Sequence, residues 1–321
     1  MNKITLTDSV YPVGADLGNG FVNLYMQDRH AGLPAGYMLE KPTGPYDPKR
    51  MSYKSPKAQE IVVNDKTVWV GRDTLTDKMV RYLDDTKYDK EHLRILFSAG
   101  LAEWLSLTKA STEETLRLRV ACGMPAEKFQ DPKNRALAEK AYKAAFKVTN
   151  SDQWRITVGG KRIRLLTEFA GLRPETVGYA CVSKLHKGYT VLMDCGAGTV
   201  DVCVFHSSQQ KTPITVKSFN IGLIHAFDDI NPMQMDLPEL LLIRKEIDPS
   251  VLNPYVAQIK TLTTKFCRRL EVKGQEIRVK IIGGLPHLMS KEQRASLSMG
   301  IPVVFGDAGE NARAFANYAG E

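Results

Sequence analysis

Two stretches of the sequence share one design, and that likeness limits the fold more than any other feature. The first is Val13-Gly14-Ala15-Asp16-Leu17-Gly18-Asn19-Gly20-Phe21-Val22-Asn23-Leu24-Tyr25. The second is Val191-Leu192-Met193-Asp194-Cys195-Gly196-Ala197-Gly198-Thr199-Val200-Asp201-Val202-Cys203-Val204-Phe205. Each is an apolar run, then Asp-x-Gly-x-Gly, then a second apolar run, which reads as two buried strands around a small-residue turn. A repeated unit speaks about the whole fold. Two such hairpins predict two like halves facing each other across one polyphosphate. Taken singly, each is also compatible with an ordinary β-hairpin with a wide glycine turn.

The residue types suit phosphate chemistry. Glycine lets backbone N–H groups approach a ligand closely, and a turn rich in such donors, with the Thr199 hydroxyl beside it, suits phosphate oxygens. Asp194 can hold the hydrated metal that accompanies such phosphates. A third piece, Ile277-Arg278-Val279-Lys280-Ile281-Ile282-Gly283-Gly284-Leu285-Pro286, is an alternating strand that enters a Gly-Gly turn. Small residues there let backbone lie flat against a base or ribose.

In this order and spacing the three pieces resemble the actin, Hsp70 and hexokinase superfamily of ATPases. The hairpin at Asp16 looks like its phosphate-1 motif, the hairpin at Asp194 like phosphate-2, and Gly283-Gly284 like the adenosine motif. Within the superfamily the chain is most similar to the bacterial plasmid-segregation actins, the ParM or StbA branch. Met235-Asp236-Leu237-Pro238-Glu239-Leu240-Leu241-Leu242-Ile243-Arg244-Lys245 is similar to a segment that branch carries ahead of the adenosine motif. Asn311-Ala312-Arg313-Ala314-Phe315-Ala316-Asn317-Tyr318 is similar to its closing helix.

The resemblance implies an α/β fold of two actin-like (ribonuclease H-like) domains with a nucleotide cleft between them. The expected division is 1–172, joined by the closing helix at 306–321, and 173–305. It implies ATP with Mg²⁺: Gly18, Asn19 and Gly20 hold phosphates from one side, and Gly196, Ala197, Gly198 and Thr199 from the other. Gly283 and Gly284 lie at the adenosine. Asp16 and Asp194 order metal-bound waters, and Asp201 fixes the turn. Pro174-Glu175 followed by small residues resembles the inter-domain connecting helix, whose acidic residue orients the attacking water. On the residues alone, Pro174 equally suits a plain helix start, with Glu175 favoured in the first turn by the helix dipole.

The implied activity is ATP hydrolysis coupled to filament assembly. The implied partners are further copies of the chain and a small DNA-binding adaptor of the ParR type, so that plasmid DNA is reached only indirectly. A small-molecule kinase of the same superfamily is the competing reading, but no additional Asp with a substrate loop stands out. An Hsp70-like regulator is another, without the substrate-binding β-domain of a full chaperone.

Composition agrees. The chain of 321 residues is 43% hydrophobic, enough for two cores. No apolar run approaches a membrane span and no signal region is evident, so the expected setting is cytoplasmic with no membrane partner. Five scattered cysteines form no Cys-x-x-Cys pair, which argues against zinc or iron–sulfur centres. The net charge is +8, yet the cations are spread and no DNA-reading motif accompanies them. They suit self-association or capture of an acidic partner.

Periodicity fills in the rest. It predicts an irregular segment over 29–60 with one short strand, and a hairpin around Asn64-Asp65 with Trp69 in the core. A short helix follows over 73–80, and another runs from Asp89 to about Leu107. A strand is expected from Thr115 to Cys122, then a helix from Ala126 to Phe146 broken near Asp131-Pro132. A hairpin turns at Gly159-Gly160 and ends at Thr167, and a strand runs from Ile214 to Ile221. Helices are expected over 223–230 and from Pro254 to Leu270, a third capped by Ser290, and a last from Glu310 to Tyr318. A short buried element is expected at Leu240-Leu241-Leu242-Ile243.

Overall fold

The structure is a computed structural model that describes residues 4–18, 20–41, 59–71, 80, 88–112, 114–148, 153–175, 187–208, 213–223, 248–271, 276–298 and 300–321. Its strands in chain order are β1 (Thr5–Leu6), β2 (Val10–Leu17), β3 (Phe21–Met26), β4 (Arg29–Pro34), β5 (Gln59–Val63), β6 (Lys66–Val70), β7 (Ser111–Thr112), β8 (Thr115–Met124), β9 (Arg155–Val158), β10 (Lys161–Pro174), β11 (Tyr189–Cys195), β12 (Val200–His206), β13 (Thr215–Phe219), β14 (Ile277–Gly283) and β15 (Val303–Phe305). The helices are α1 (Lys90–Thr108), α2 (Ala126–Gln130), α3 (Pro132–Phe146), α4 (Asn253–Glu271), α5 (Leu285–Leu288), α6 (Lys291–Ser296) and α7 (Glu310–Gly320).

The strands form two large sheets. The first has the order β4-β3-β2-β8-β10-β9-β5-β6, the second β13-β12-β11-β14-β15. The five strands β4-β3-β2-β8-β10 run antiparallel, antiparallel, parallel, parallel. So do β13-β12-β11-β14-β15. The repeat read in the two Asp-x-Gly-x-Gly hairpins is therefore a repeat of a five-stranded unit, and β9, β5 and β6 widen the first copy.

Local chemistry explains the elements. Asp89 caps α1 by accepting from the His92 N–H at 2.8 Å, and Lys109 ends it in the left-handed conformation. Asp131 caps α3 with Pro132 at its first turn, which is why the two helices α2 and α3 meet in a break there. Asn64 and Asp65 both take positive φ, as a tight two-residue hairpin requires. The Ser290–Gln293 capping box opens α6.

Some expectations give way. Gln27 and Asp28, both at positive φ, make a further tight turn that was not expected, and a short strand, β4, follows it at once within the stretch 29–60. The strand expected to stop at Thr167 runs on to Pro174 through an irregularity between Phe169 and Gly171. Pro174 is thus the last residue of a strand, in register with Met124, and not a helix start. Trp69 is half-buried under Lys41, whereas Trp104 and Trp154 fill the first core. The expected elements at 73–79, 224–230 and 240–243 lie outside the described residues.

Each sheet has its own core. In the first, α1 packs on β3, β4 and β5 while α3 packs on β10 and β8, around Phe97, Trp104, Phe146 and Trp154. In the second, α4 sets Tyr255, Val256, Ile259 and Phe266 against β11 and β14. Among the described residues, α2 and α7 join the sheets. Ala126 of α2 packs with Leu192, Phe205 and Val216 of the second sheet, and Glu127 accepts from the Ser218 N–H at 2.7 Å. Helix α7 lies on β2 and β8 while its first turn reaches the second sheet.

Candidate functional site

The carboxyl ends of the parallel strands carry the candidate residues. Asp16 is near the end of β2, Glu175 directly follows β10, Asp194 is the penultimate residue of β11, and Gly283 ends β14. Ligands of open α/β sheets bind beyond these ends.

Asp194 is the most constrained group. It is buried, and Asn311 of α7 donates from Nδ2 to its Oδ2 at 2.6 Å. Its Oδ1 lies against Gly283, where a Cβ would collide with it; Gly283 also has φ +91°. Close approach and backbone conformation thus both call for glycine at 283. Burial, then the charges of Asp16 and Asp201, push the Asp194 carboxyl up to about 7, against the pull of the Asn311 hydrogen bond. Asp16 is buried as well, and its charge also raises the Cys122 thiol, which burial raises first. Tyr142 donates to the Gly123 carbonyl at 3.4 Å. Its phenol is raised by burial and, among nearby groups, by both Glu175 and Asp16. Asp16, Asp194 and Glu175 therefore share one electrostatic neighbourhood. The Glu175 N–H donates to the Met124 carbonyl at 2.8 Å.

The loop between β11 and β12 is braced from below. The Gly196 N–H donates to the Thr199 carbonyl at 3.0 Å, and the Gly196 carbonyl accepts from the Leu223 N–H at 3.2 Å. Gly222 lies so close beneath Ala197 and Gly198 that a side chain there would overlap them. The Thr199 hydroxyl donates to Asp201 at 3.1 Å, and the Ser218 hydroxyl donates to the other Asp201 oxygen. Asp201 is thus occupied in fixing the turn.

The opposite hairpin is less enclosed. Gly18 follows β2, and the Gly20 carbonyl accepts from the Ala35 N–H at 3.0 Å; Asn19 lies outside the described residues. Asn23, in register with Asp16, meets the His30 ring at 3.1 Å. Gly284 has open space where a side chain would stand. Asn311, Gly222 and Ser218 are candidate-site residues to which the sequence assigned no role: Asn311 heads the segment similar to the closing helix, Ser218 lies within the strand expected from Ile214 to Ile221, and Gly222 directly follows it.

The donor set fits a hydrated divalent ion. Among the described residues no group of three or more His, Cys, Asp or Glu side chains can hold a metal ion by itself. Magnesium needs only one or two carboxylates when phosphates and waters complete its shell, and the mutual repulsion that raises Asp194 is relieved by a cation.

Residues 14–171 match the family model for the N-terminal domain of actin like proteins. No curated protein sequence matches the chain. Among solved structures, a 15-stranded ParM filament from Clostridium botulinum is 18% identical, with 100% of this chain and 99% of that one covered and a TM-score of 0.65. The archaeal actin homolog Ta0583 in complex with ADP is 17% identical, with coverage of 96% and 98% and a TM-score of 0.63. Bacillus thuringiensis ParM with AMPPNP is 12% identical, with coverage of 96% and 98% and a TM-score of 0.60. Likeness at these identities is likeness of fold, and it runs the length of both chains.

Proposed function

We propose that this chain, whose fold is actin-like and similar to ParM throughout, is an ATPase that assembles into filaments with ATP and Mg²⁺ and disassembles after hydrolysis. The observation that carries the reading is that Asp16 and Asp194 are both buried and stand at equivalent positions of the two repeated sheets, near the carboxyl ends of β2 and β11. The solved relatives with ADP, with AMPPNP and as a filament support it.

The roles divide by chemistry. Asp16 and Asp194 would hold the hydrated Mg²⁺, which would supply charge neutralisation on the phosphate oxygens. With the Gly196 N–H committed inside its own turn, the donors from that loop are the N–H groups of Ala197, Gly198 and Thr199. Gly18, Asn19 and Gly20 are assigned to the phosphates from the other side, and Gly283 and Gly284 to the adenosine. Glu175 orients the attacking water and accepts its proton. Such catalysis is mostly positioning and charge stabilisation. The proposed bodies are 1–172 with 306–321, and 173–305. The seat of α7 on β2 supports joining the C-terminal segment to the first.

Head-to-tail contacts generate open filaments unless the rotation closes a ring. We assign the filament to plasmid DNA segregation in the cytoplasm, with a small ParR-type adaptor between filament and DNA. No helix among the described residues is long and apolar enough to cross a membrane. Negative-stain electron microscopy with ATP and Mg²⁺ tests the reading: filaments that vanish as ATP is consumed are expected. A protein that stays monomeric at high concentration in the same buffer refutes it.

A further inference from the structure

We infer that Asn311 is a positioning residue for Asp194: it sets the orientation of the carboxylate that meets the metal, and does so from a helix seated on the other sheet. The inference rests on the ATP–Mg²⁺ reading above and adds to it a residue 117 positions away in sequence.

Three observations carry it. Asn311 and Asp194 are both buried, and the Nδ2–Oδ2 bond of 2.6 Å ties one carboxylate oxygen. The other oxygen occupies the space that a side chain at 283 would fill, so the carboxylate orientation depends on glycine there as well as on Asn311. The first turn of α7 is itself held: Glu310 accepts from Lys280 of β14 at 2.9 Å, and Ala312 packs on Gly14 of β2. Asn311 therefore has little freedom to follow a moving carboxylate; the carboxylate is fixed to the helix.

The side-chain type matters. An amide N–H orients a carboxylate without cancelling its charge, so the full negative charge remains for a cation. A Lys or Arg at 311 would compete with that cation. Groups that hold a metal-binding carboxylate from behind commonly change metal affinity or activity by about 10- to 100-fold when removed.

The test follows ATP affinity by calorimetry across a Mg²⁺ series, with melting temperature read in parallel. Three variants are compared with the wild type. Asn311→Leu removes the donor at similar volume, and Asn311→Ala removes it with the smallest side chain that keeps a helix. Arg313→Ala cuts the neighbouring Arg313–Glu310 pair on the same helix and leaves Asn311 in place.

Asn311→Leu is expected to bind ATP in EDTA as the wild type does, yet to need roughly 10-fold more Mg²⁺ to reach tight binding. Asn311→Ala should need a similar excess, and Arg313→Ala should follow the wild type. If Asn311→Leu does not fold, Asn311→Ala decides alone. Mg²⁺ curves for the Asn311 variants that overlay those of Arg313→Ala overturn the inference while the ATPase reading stands. A wild type whose ATP affinity ignores Mg²⁺ overturns both.

Discussion

Replacing Gly14 by alanine tests how closely the candidate site depends on the seat of α7. A Cβ at position 14 would overlap the Ala312 carbonyl oxygen. It would also stand 2.5 Å from the Ala316 nitrogen and 2.8 Å from the Ala312 carbonyl carbon. Ordinary contact needs about 3.5 Å, so α7 must retreat by about 1 Å to clear the Ala316 nitrogen and by more to clear the Ala312 oxygen. Even about 1 Å along the Asn311–Asp194 bond takes it from 2.6 Å to about 3.6 Å, which is no longer a hydrogen bond. Overpacking costs about 1–3 kcal/mol and a lost bond to a charged group about 1.5–3 kcal/mol, so Gly14→Ala should lose about 3–5 kcal/mol. For a chain of 321 residues that is a fall in melting temperature of about 5–7 °C. The assay is calorimetric melting beside Gly284→Ala, where the added methyl meets nothing within 4 Å and φ is −73°. The two variants carry the same change of residue, so their difference isolates the contact with α7. Melting of Gly14→Ala within 2 °C of the control would refute the reasoning.

Other outcomes can be checked independently. Glu175→Ala should keep ATP binding and lose hydrolysis, leaving filaments that persist; unchanged phosphate release would remove Glu175 from the mechanism. Lys280→Ala leaves the buried Glu310 carboxylate with Arg313 as its remaining cation and should cost about 1.5–2 kcal/mol in urea unfolding. His92 packs by Tyr37 and is held down to about 4, chiefly by burial. The folded protein then binds fewer protons than the unfolded chain below pH 6.5, so stability present above that pH is lost as pH falls towards 4. The loss should approach about 3 kcal/mol, and urea midpoints for the wild type should fall faster with acid than those of His92→Gln.

What was legible in the sequence was whatever a short window contains. The two Asp-x-Gly-x-Gly hairpins, the Asp89 cap, the break at Asp131-Pro132 and the Ser290–Gln293 box are local chemistry and stand where the residues put them. The turn at Gln27-Asp28 escaped because neither residue is glycine, though both take positive φ. The run to Pro174 escaped for a different reason. Its strand character comes from pairing with Ala121, Cys122, Gly123 and Met124, partners some fifty residues earlier, while Pro-Glu reads locally as a helix start. In the site, Asp16 and Asp194 were visible because they repeat. Asn311 and Gly222 were not, since each matters only through a neighbour that the fold supplies.

The same limit explains how α7 comes to reach across. Gly14, Gly123 and Gly171 come from three adjacent strands of the first sheet, β2, β8 and β10. A Cβ on each would run into α7, at Ala312, Phe315 and Tyr318 in turn. Side chains at those positions would hold the helix off the sheet by the thickness of a methyl group or more. Without them the helix backbone drops onto β2, and its first turn comes within hydrogen-bonding distance of Asp194 and Lys280 on the second sheet. The glycines lie in unrelated stretches of sequence, and none belongs to the turns of the three nucleotide motifs. Yet the geometry of the Asp194 carboxylate depends on them, because a helix standing 1 Å higher would leave Asn311 short of its acceptor. Closeness of packing on one sheet is thus converted into the orientation of a charged group on the other, and any relative movement of the two sheets must either carry α7 along or break that bond.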